Sequence, residues 1–290
     1  MDALTFTADV ITSHLLAKLT KEFDAQPMDI LCLGKWAGYE IGLKSDLDFI
    51  FICESPPQDK DQKVAKRFIS RLTDPYRGGS LYEIDLRLRP SGKAGPILTT
   101  RDQLNEYLAE KAEVWERQAY IRSRFLKTST SVDTKLLWRK PLDPSEIQKL
   151  AEIRKKLLKT NDGAKVDLKY AAGGLVDIEF AAQIATLDSR SARSSPNTGE
   201  LIQILAAGPW QTNGPALKRN YDRLRELEQL LTLAGNIKSS EFRREHETVS
   251  RAAKFLKTTP SSLEEEIAEI LSQNVAILKQ LDPRQKSLSV

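Results

Sequence analysis

The order of apolar and polar positions predicts that helices and strands alternate in the first part of the chain. Apolar residues recur at helical spacing over 10–23, and a short apolar run follows at 30–33. Residues 47–53 are rich in aromatic and β-branched side chains and predict a strand. A helix over 62–72 and a strand over 81–89 complete this part.

Helical patterns alone fill the remainder of the chain. Thr100 and Gln103 predict a capping box that opens a long helix. The apolar stripe of this helix comprises Leu104, Leu108, Ala112, Trp115 and Ala119. From residue 141 onward only helices are predicted, and Ser261 with Glu264 indicates the start of the last one.

Length and composition allow one large folded domain or two smaller ones. The 290 residues are 40% hydrophobic and 29% charged, which excludes a mostly disordered chain. Single hydrophobic cores stop growing at roughly 250–300 residues. Because strands are predicted only in the first half of the chain, we expect the α+β fold class, with an α+β domain at 1–140 followed by an all-α helical domain at 141–290.

Charge and cysteine content narrow the class of protein. The 44 Lys and Arg residues are interspersed with 40 Asp and Glu, and the net charge of +4 does not favour a nucleic-acid partner. No apolar run approaches the ~20 residues of a bilayer span, and the first residues lack the pattern of a signal peptide. Cys32 and Cys53 lie in apolar runs and form no C-x-x-C pair, so neither a disulfide nor a zinc site is expected. These features predict a cytoplasmic protein with buried thiols and no membrane partner.

Two carboxylates at the start of the 47–53 strand are the first candidates for chemistry. Residues two apart on a strand share a face, so Asp46 and Asp48 are expected to project together with Cα atoms ~7 Å apart. Such carboxylates repel each other unless a cation lies between them, and hard oxygen ligands suit Mg²⁺. The preceding segment 34–38 is expected to be a loop, and it supplies small residues where a phosphate can approach the backbone. By itself, D-x-D is a weak signal.

The 81–89 strand adds a third carboxylate. Its alternation directs Ile84, Leu86 and Leu88 towards a core and leaves the opposite face to Asp85, Arg87 and Arg89. If the two strands are neighbours, Asp85 completes a cluster with Asp46 and Asp48 that suits two-metal phosphoryl transfer. The alternative is a solvated outer face with a cross-strand salt bridge.

Four ordered motifs resemble those of bacterial glutamine synthetase adenylyltransferase. They are GKWAGYEIGLKSDLDFIF at 34–51, YEIDLRLRPSGKAGP at 82–96, WERQAYIRSR at 115–124 and DLKYAAGGLVDIEF at 167–180. The resemblance implies a polymerase-β-like nucleotidyltransferase domain followed by an all-α helical bundle. Family members carry two related catalytic units, whereas this chain has the motifs of a single catalytic unit. Trp36 and Ala37 depart from the leucine and glycine that the family usually has there.

The resemblance also implies an activity and a set of site residues. One unit of such enzymes transfers AMP from ATP to a tyrosine of glutamine synthetase, and the other removes AMP by phosphorolysis and releases ADP. The motifs favour AMP transfer here, with removal as the alternative. Asp46, Asp48 and Asp85 are the implied catalytic and metal-binding residues, for two Mg²⁺ ions. The implied nucleotide-binding residues are Gly34, Lys35, Gly38, Ser45, Arg87, Arg89, Lys169 and Asp177.

Two other functions remain open beside this one. A non-catalytic regulatory module that binds glutamine synthetase or a PII-type signalling protein has no need of the three carboxylates. A nucleotidyltransferase for another protein or a small molecule is disfavoured by the GGLVDIEF segment, which is typical of this family. Glutamine synthetase is thus the expected protein substrate, and a PII-type protein is a possible partner.

The remaining candidates carry weaker signals. Arg117, Arg122 and Arg124 are expected on the Thr100-capped helix, with at least one contact to the sheet carboxylates or to substrate, and Trp115 is expected in the core. Gly173 and Gly174 precede a helix whose N-terminus can receive an anion, or they form a plain turn. Asp177 and Glu179 are two apart on a helix and so do not bind one ion together. The isolated His14 and His246 are not expected to be catalytic.

Overall fold

The contacts of the chain define two compact units, residues 1–140 with 194–197 and residues 141–193 with 198–290. The structure is a computed structural model, and it describes residues 2–128, 130, 132–137, 142–160, 165–189, 195–207, 213–236 and 239–280. These residues form helices and small sheets, consistent with the α+β class. Within the part of the chain that is described, none of the helices combines the length and the apolar composition that a bilayer span requires.

The first unit holds a small mixed sheet and the helices around it. Its elements are α1 (Asp2–Glu22), β1 (Met28–Leu33), α2 (Gly34–Ala37), β2 (Leu47–Cys53), α3 (Asp59–Thr73), β3 (Ile84–Asp85), β4 (Leu98–Thr100), α4 (Arg101–Glu106), α5 (Val114–Tyr120), β5 (Ser123–Phe125) and α6 (Thr134–Leu137). The strand order is β3-β2-β1-β5, and β4 also pairs with β2. Strand β1 lies antiparallel to β2 and β5, whereas β3 and β4 are parallel to β2. The predicted strand at 47–53 has the predicted bounds.

The core of this unit lies where α1 and α3 pack against the sheet. Phe49 and Phe51 of β2 meet Phe68 of α3 edge to face, with ring centroids 5.9 and 5.3 Å from it. Both cysteines are free and buried, as expected. Burial raises the pKa of the Cys53 thiol to about 12 and raises the pKa of Cys32 well above its usual value. Neither thiol is therefore a reactive nucleophile near neutral pH.

The predicted strand at 81–89 is much shorter in the structure. It pairs only at Ile84 and Asp85, and the chain then turns. The reason is local, because the Asp85 carboxylate accepts the backbone N–H of Arg87 at 2.8 Å. A side chain that binds the backbone two residues on competes with the strand ladder. The expected alternation of Asp85, Arg87 and Arg89 along one strand face is therefore wrong.

The single long helix predicted after Thr100 is also wrong. The Thr100–Gln103 capping box is confirmed, but α4 passes into a π-helical turn at Tyr107–Lys111 and the chain leaves the helix before α5. A second capping box, between Glu113 and Glu116, opens α5 and explains the break. Trp115, expected in the core, is 39% exposed because it lies on this separate helix.

The second unit consists of helices and one short ribbon. Its elements are α7 (Pro144–Leu157), β6 (Val166–Asp167), α8 (Leu175–Ser189), α9 (Thr198–Ala207), α10 (Gly214–Gly235), β7 (Glu241–Phe242), α11 (Glu247–Phe255) and α12 (Pro260–Leu278). Helix α10 contacts α8, α9, α11 and α12. Its predicted apolar positions are buried, namely Leu217, Tyr221, Leu224 and Leu231.

Two details of the second unit differ from the sequence prediction. Strands are not confined to the first half, because β6 and β7 pair at Val166–Phe242 and Asp167–Glu241. Two-residue strands are too short to show an alternating pattern. Helix α12 is capped by Thr259, whose hydroxyl accepts the Ser262 N–H at 3.1 Å, and not by the predicted Ser261. Pro260 occupies the first helical position, where proline is favoured.

Candidate active site

Parallel pairing of β2 with β3 brings three carboxylates together. Asp48 is the direct partner of Asp85 across the two strands, and Asp46 immediately precedes β2. One carboxylate oxygen from each residue lies within 4.8 Å of the other two, and all three residues are half-buried. Among the described residues, this is the only group of three or more acidic, histidine or cysteine side chains so placed. The strand pairing on which the predicted cluster depends is therefore present.

The donor set of this cluster fits a magnesium ion. Three carboxylates supply oxygen ligands alone, which hard cations prefer over nitrogen or sulfur. Mg²⁺ binds oxygen at 2.0–2.1 Å, so two ligands on opposite sides of the ion lie about 4 Å apart. A separation of up to 4.8 Å between the ligand atoms requires only small side-chain rotations to reach that spacing. Asp46, Asp48 and Asp85 can thus hold the ion.

Arg87 is the cation that the structure places beside these carboxylates. Its Nε donates to Asp85 Oδ2 at 2.7 Å, and its Nη2 donates to the same oxygen. Burial alone would raise the pKa of Asp85, but these bonds and the positive charges of Arg87 and Lys93 hold that pKa below its usual range. Hydrogen bonding to Asp85 raises the pKa of Arg87, to which the charges of Asp48 and Asp46 also contribute. The Arg87 side chain is 71% exposed, so a ligand can reach it from solvent.

Gly34, the first residue of α2, directly follows β1 and lies next to Asp48. Its φ of +55° is unfavourable for residues with a side chain, and a Cβ at this position would lie 3.0 Å from Asp48 Oδ2. Its N–H donates to the carbonyl oxygen of Arg122 at 3.1 Å. The segment 34–38, expected as a loop, begins with the single helical turn α2, which also carries Lys35. Glycine therefore lets the backbone approach the carboxylate closely.

Gly38 lies against a buried ion pair. Arg122 and Glu40 are both nearly inaccessible and bind each other through Nη2 and Oε2. A Cβ on Gly38 would lie 2.6 Å from Arg122 Nη2 and 2.7 Å from Glu40 Oε2. The side-chain amide of Asn197 donates to the Gly38 carbonyl oxygen at 2.9 Å. Gly38 thus makes room for this pair. Glu40 was not among the predicted site residues, although its charge in the run GYEIG was an available signal.

Ser45 shapes the turn that leads into β2. Its hydroxyl accepts the Gly42 N–H at 3.0 Å, and its own N–H donates to the Gly42 carbonyl at 3.2 Å. Lys44, between them, adopts a positive φ of 57°. These bonds set the direction in which the chain enters β2 and hence where Asp46 lies.

Arg89 binds the loop that follows β3. Its guanidinium donates to the carbonyl oxygens of Leu86, Lys93 and Gly95 at 2.8–3.1 Å. The strand face that Arg89 was expected to share with Asp85 is absent, because β3 ends at Asp85. These three contacts organise the segment 86–95.

The arginines of the 115–124 motif are distributed over three positions rather than one helix. Arg117 is on α5 and donates to the Leu137 carbonyl oxygen at 3.0 Å. Arg122 follows α5 and binds Glu40, whereas Arg124 is on β5 and binds Asp9 at 3.0 Å. Asp9 was not predicted, since nothing local relates it to a residue so far along the chain.

Lys169 and Asp177 belong to the second unit, where each has contacts within that unit. Asp177 binds Arg154, and its Oδ2 accepts the Gly173 N–H at 2.6 Å, two residues before α8 begins. The Lys169 ammonium lies 5.0 Å from the ring centroid of Tyr170. Asp167 accepts the backbone N–H of Lys169 at 3.0 Å and binds Lys159. The nucleotide-binding roles of Lys169 and Asp177 stay predictions.

Comparison with known proteins agrees with the family resemblance of the sequence. The sequence model of the family described as glutamate-ammonia ligase adenylyltransferase matches residues 3–138. A protein of Shewanella oneidensis is 32% identical over 225 residues, which cover 64% of this chain and 24% of the relative. A protein of Alteromonas mediterranea is 31% identical over 274 residues, which cover 80% of this chain and 28% of the relative. Both are named bifunctional glutamine synthetase adenylyltransferase/adenylyl-removing enzyme.

A protein of Burkholderia mallei with the same name is 31% identical over 256 residues, 80% of this chain and 27% of the relative. The chain thus spans about a quarter of the length of these relatives. The matched segment 3–138 contains all three clustered carboxylates. Residues 3–138 therefore form a domain of the glutamate-ammonia ligase adenylyltransferase family.

Proposed function

We propose that this chain is a Mg²⁺-dependent nucleotidyltransferase that transfers AMP from ATP to a tyrosine of glutamine synthetase in the cytoplasm. The observation that carries the proposal is the cluster of Asp46, Asp48 and Asp85, with Arg87 beside it. Like charges held this close repel one another, and a bound metal ion would offset this repulsion, so the cluster is suited to binding a metal. The names of the relatives supply the nucleotide and the protein substrate.

The proposal extends to the organisation of the chain. We assign a polymerase-β-like catalytic domain to 1–140 and a helical bundle to 141–290. Gly34, Lys35, Ser45 and Arg87 are the proposed nucleotide contacts. Support comes from the Gly34 backbone beside Asp48 and from the exposed Arg87 guanidinium beside Asp85. Gly38, Arg89, Lys169 and Asp177 are further candidates from the resemblance alone.

The chemistry follows from these residues. Magnesium, when bound, offsets the negative charge of the phosphates and orients them. The tyrosine oxygen forms a bond to the α-phosphorus, the bond from that phosphorus to the bridging oxygen breaks, and pyrophosphate leaves. One carboxylate of the cluster accepts the hydroxyl proton, and the Arg87 guanidinium stabilises charge on the phosphate oxygens. The lowered pKa of Asp85 keeps this carboxylate ionised for metal binding.

Phosphorolytic removal of AMP is the second candidate, because the names of the relatives include an adenylyl-removing activity. A phosphate oxygen then attacks the phosphorus of the AMP group, the bond to the tyrosine oxygen breaks, and ADP is released. The same carboxylates and the same arginine serve this reaction, since it also substitutes at that phosphorus. The two directions differ only in the nucleophile and the leaving group.

Intact-mass analysis of glutamine synthetase separates these functions. Unmodified enzyme is incubated with this chain and Mg-ATP, and adenylylated enzyme is incubated with this chain and phosphate. We expect a gain of one AMP per subunit in the first reaction. Loss of AMP in the second reaction alone assigns the removing activity instead. If neither mass changes while this chain still binds glutamine synthetase, it is a non-catalytic module and the proposal fails.

A further inference from the structure

A buried hydrogen-bonded network joins α1, α2 and β5. Trp36 of α2 is fully buried, and its indole Nε1–H donates to Asp9 Oδ1 on α1 at 2.7 Å. Arg124 of β5 donates from Nη2 to the same Asp9 oxygen at 3.0 Å and to the Trp36 carbonyl oxygen at 3.4 Å. One carboxylate oxygen therefore receives donors from two other elements, and one of them is the turn α2.

The same residues fix α2 relative to the strand that carries Asp48. The Trp36 ring meets Phe49 edge to face, with centroids 5.7 Å apart, and Phe49 directly follows Asp48 on β2. The Arg124 guanidinium lies 4.4 Å from the ring centroid of Tyr39, just beyond α2. The network therefore contacts the backbone of α2, the Trp36 side chain and the ring of Tyr39, two residues beyond α2.

The position of α2 matters because its first residue borders the carboxylate cluster. A Cβ on Gly34 would lie only 3.0 Å from Asp48 Oδ2, so the gap between the α2 backbone and this carboxylate is narrow. A small displacement of α2 thus changes how Gly34 and Lys35 meet a phosphate.

Because the network is largely buried, its positive and negative charges must compensate each other. Arg124 is 2% exposed, and the Asp9 side chain is 23% exposed. Burial alone would lower the pKa of Arg124, but the hydrogen bond and charge of Asp9 contribute to a pKa above the usual value. The guanidinium therefore stays charged and needs its carboxylate, because an uncompensated buried charge is strongly destabilising.

We propose that Asp9, Trp36 and Arg124 are positioning residues that hold Gly34 and Lys35 against Asp48 for nucleotide binding. The inference rests on the proposed nucleotide transfer and adds the residues that determine nucleotide affinity without touching the nucleotide. A network that serves only the stability of the fold would change unfolding and leave the affinity for Mg-ATP as it is.

The test uses Trp36→Phe, which removes the indole donor and keeps an aromatic ring against Phe49. We expect the Kd for Mg-ATP, measured by calorimetry, and the KM for ATP each to rise about tenfold, with kcat within about threefold of the wild type. Trp115→Phe, on the exposed face of α5, is the matched control and should leave all three values within about twofold. Thermal unfolding confirms that each variant is folded at the assay temperature.

Asp9→Asn and the double variant Asp9→Asn/Trp36→Phe show whether the two residues act through their shared bond. If they do, the double variant raises the Kd for Mg-ATP no further than the weaker-binding single variant. Two results would overturn the inference and leave the proposed function standing. One is that the effects of the two substitutions on the Kd for Mg-ATP are additive. The other is that Trp36→Phe unfolds at a lower temperature but binds Mg-ATP like the wild type. A wild-type chain that binds no Mg-ATP overturns the proposed function and the inference with it.

Discussion

Two regions of this molecule carry acidic residues two positions apart, and the spacing has opposite consequences in them. Asp46 and Asp48 lie at the start of β2, where residues two apart share a face, and Asp85 on the neighbouring strand joins them. Asp177 and Glu179 lie on α8, where residues two apart point in different directions. Asp177 binds Arg154, whereas Glu179 accepts the hydroxyl of Tyr221 at 3.2 Å.

The two regions differ in how their carboxylates are arranged. In one they cluster together, and in the other each is paired with a positively charged side chain. In the β2–β3 region, three carboxylates lie within 4.8 Å of one another, and the exposed Arg87 binds Asp85. In the 167–180 segment, Asp177 is paired with a buried arginine and Asp167 with Lys159. We propose that the first arrangement serves to bind a metal ion, whereas the second stabilises the fold. We therefore expect substitutions in the first region to affect activity, and substitutions in the second to affect folding.

The largest effect is expected for Asp48→Asn. Loss of a metal-binding oxygen beside Gly34 should slow AMP transfer by about 10²- to 10³-fold, because the charge on the phosphates is no longer offset. The free energy of unfolding should change by less than about 1 kcal/mol. Initial rates of transfer and urea unfolding measure the two effects. Asp59→Asn, an exposed residue at the start of α3, is the control. A variant that keeps more than a tenth of the activity contradicts the assignment of the cluster.

Gly173→Ala tests the structural character of the second region. Gly173 has a φ of +76°, and a Cβ there would overlap the carbonyl oxygen of Leu271 on α12. We expect urea unfolding to show a loss of about 3 kcal/mol from backbone strain and the displaced helix contact. Gly78→Ala should cost less than about 0.5 kcal/mol, since nothing lies within 4 Å of the added Cβ. Equal stability of the two variants would rule out the close packing of Gly173.

Asp177→Asn decides between a structural role and the nucleotide-binding role that the resemblance implies. Removal of the charge leaves the buried Arg154 guanidinium poorly compensated, so the free energy of unfolding should fall by about 2–3 kcal/mol. The Kd for Mg-ATP should change by less than about threefold. Asp222→Asn removes an exposed pair with Lys218 on α10 and should cost less than about 0.5 kcal/mol. Weakened Mg-ATP binding with normal stability would instead support nucleotide binding by Asp177.

The smallest effect is the acid sensitivity contributed by Asp167. Burial alone would raise its pKa, but bonds from Lys159, Ser240 and the backbone of Tyr170 and Lys169 hold the pKa below the ordinary 3.8. A carboxyl whose pKa is lower in the folded state stabilises the protein above its unfolded pKa. This contribution is lost as the pH falls through the folded value.

Urea unfolding of wild type and Asp167→Asn from pH 2.5 to 7 measures this contribution. The difference in the free energy of unfolding should be constant at roughly 2 kcal/mol above about pH 4 and shrink below it, because only the wild type titrates. A difference that is the same at every pH would show that the Asp167 charge does not contribute.

Local patterns predicted the elements that carry a continuous apolar run, regular apolar spacing or a capping box. The aromatic and β-branched run at 47–53 forms β2 with the predicted bounds, and the Thr100 capping box opens α4. The apolar positions of α10 are buried as its periodicity indicates. These features depend on neighbours within a few residues, so a single sequence contains the information they need.

Sequence patterns failed where side-chain hydrogen bonds override periodicity. Strict alternation over 81–89 predicts a long strand, but Asp85 binds the backbone of Arg87 and the strand ends there. Apolar spacing predicts one helix after Thr100, but the capping box of Glu113 and Glu116 starts a second helix. In both places a polar side chain satisfies backbone groups that the regular element would otherwise use.

By itself, the sequence determined which residues are candidates for the chemistry of this protein: three aspartates, neighbouring arginines and a glycine-containing segment, in motifs typical of one enzyme family. Only the tertiary structure decided which of them meet. Asp48 lies beside Asp85 because distant strands pair in parallel, Arg89 binds a loop, and Asp9 joins Arg124 and Trp36 under α2. Periodicity indicates which face of a helix or strand a residue occupies. Contacts between residues far apart in sequence depend instead on packing and on the cost of leaving buried charges uncompensated.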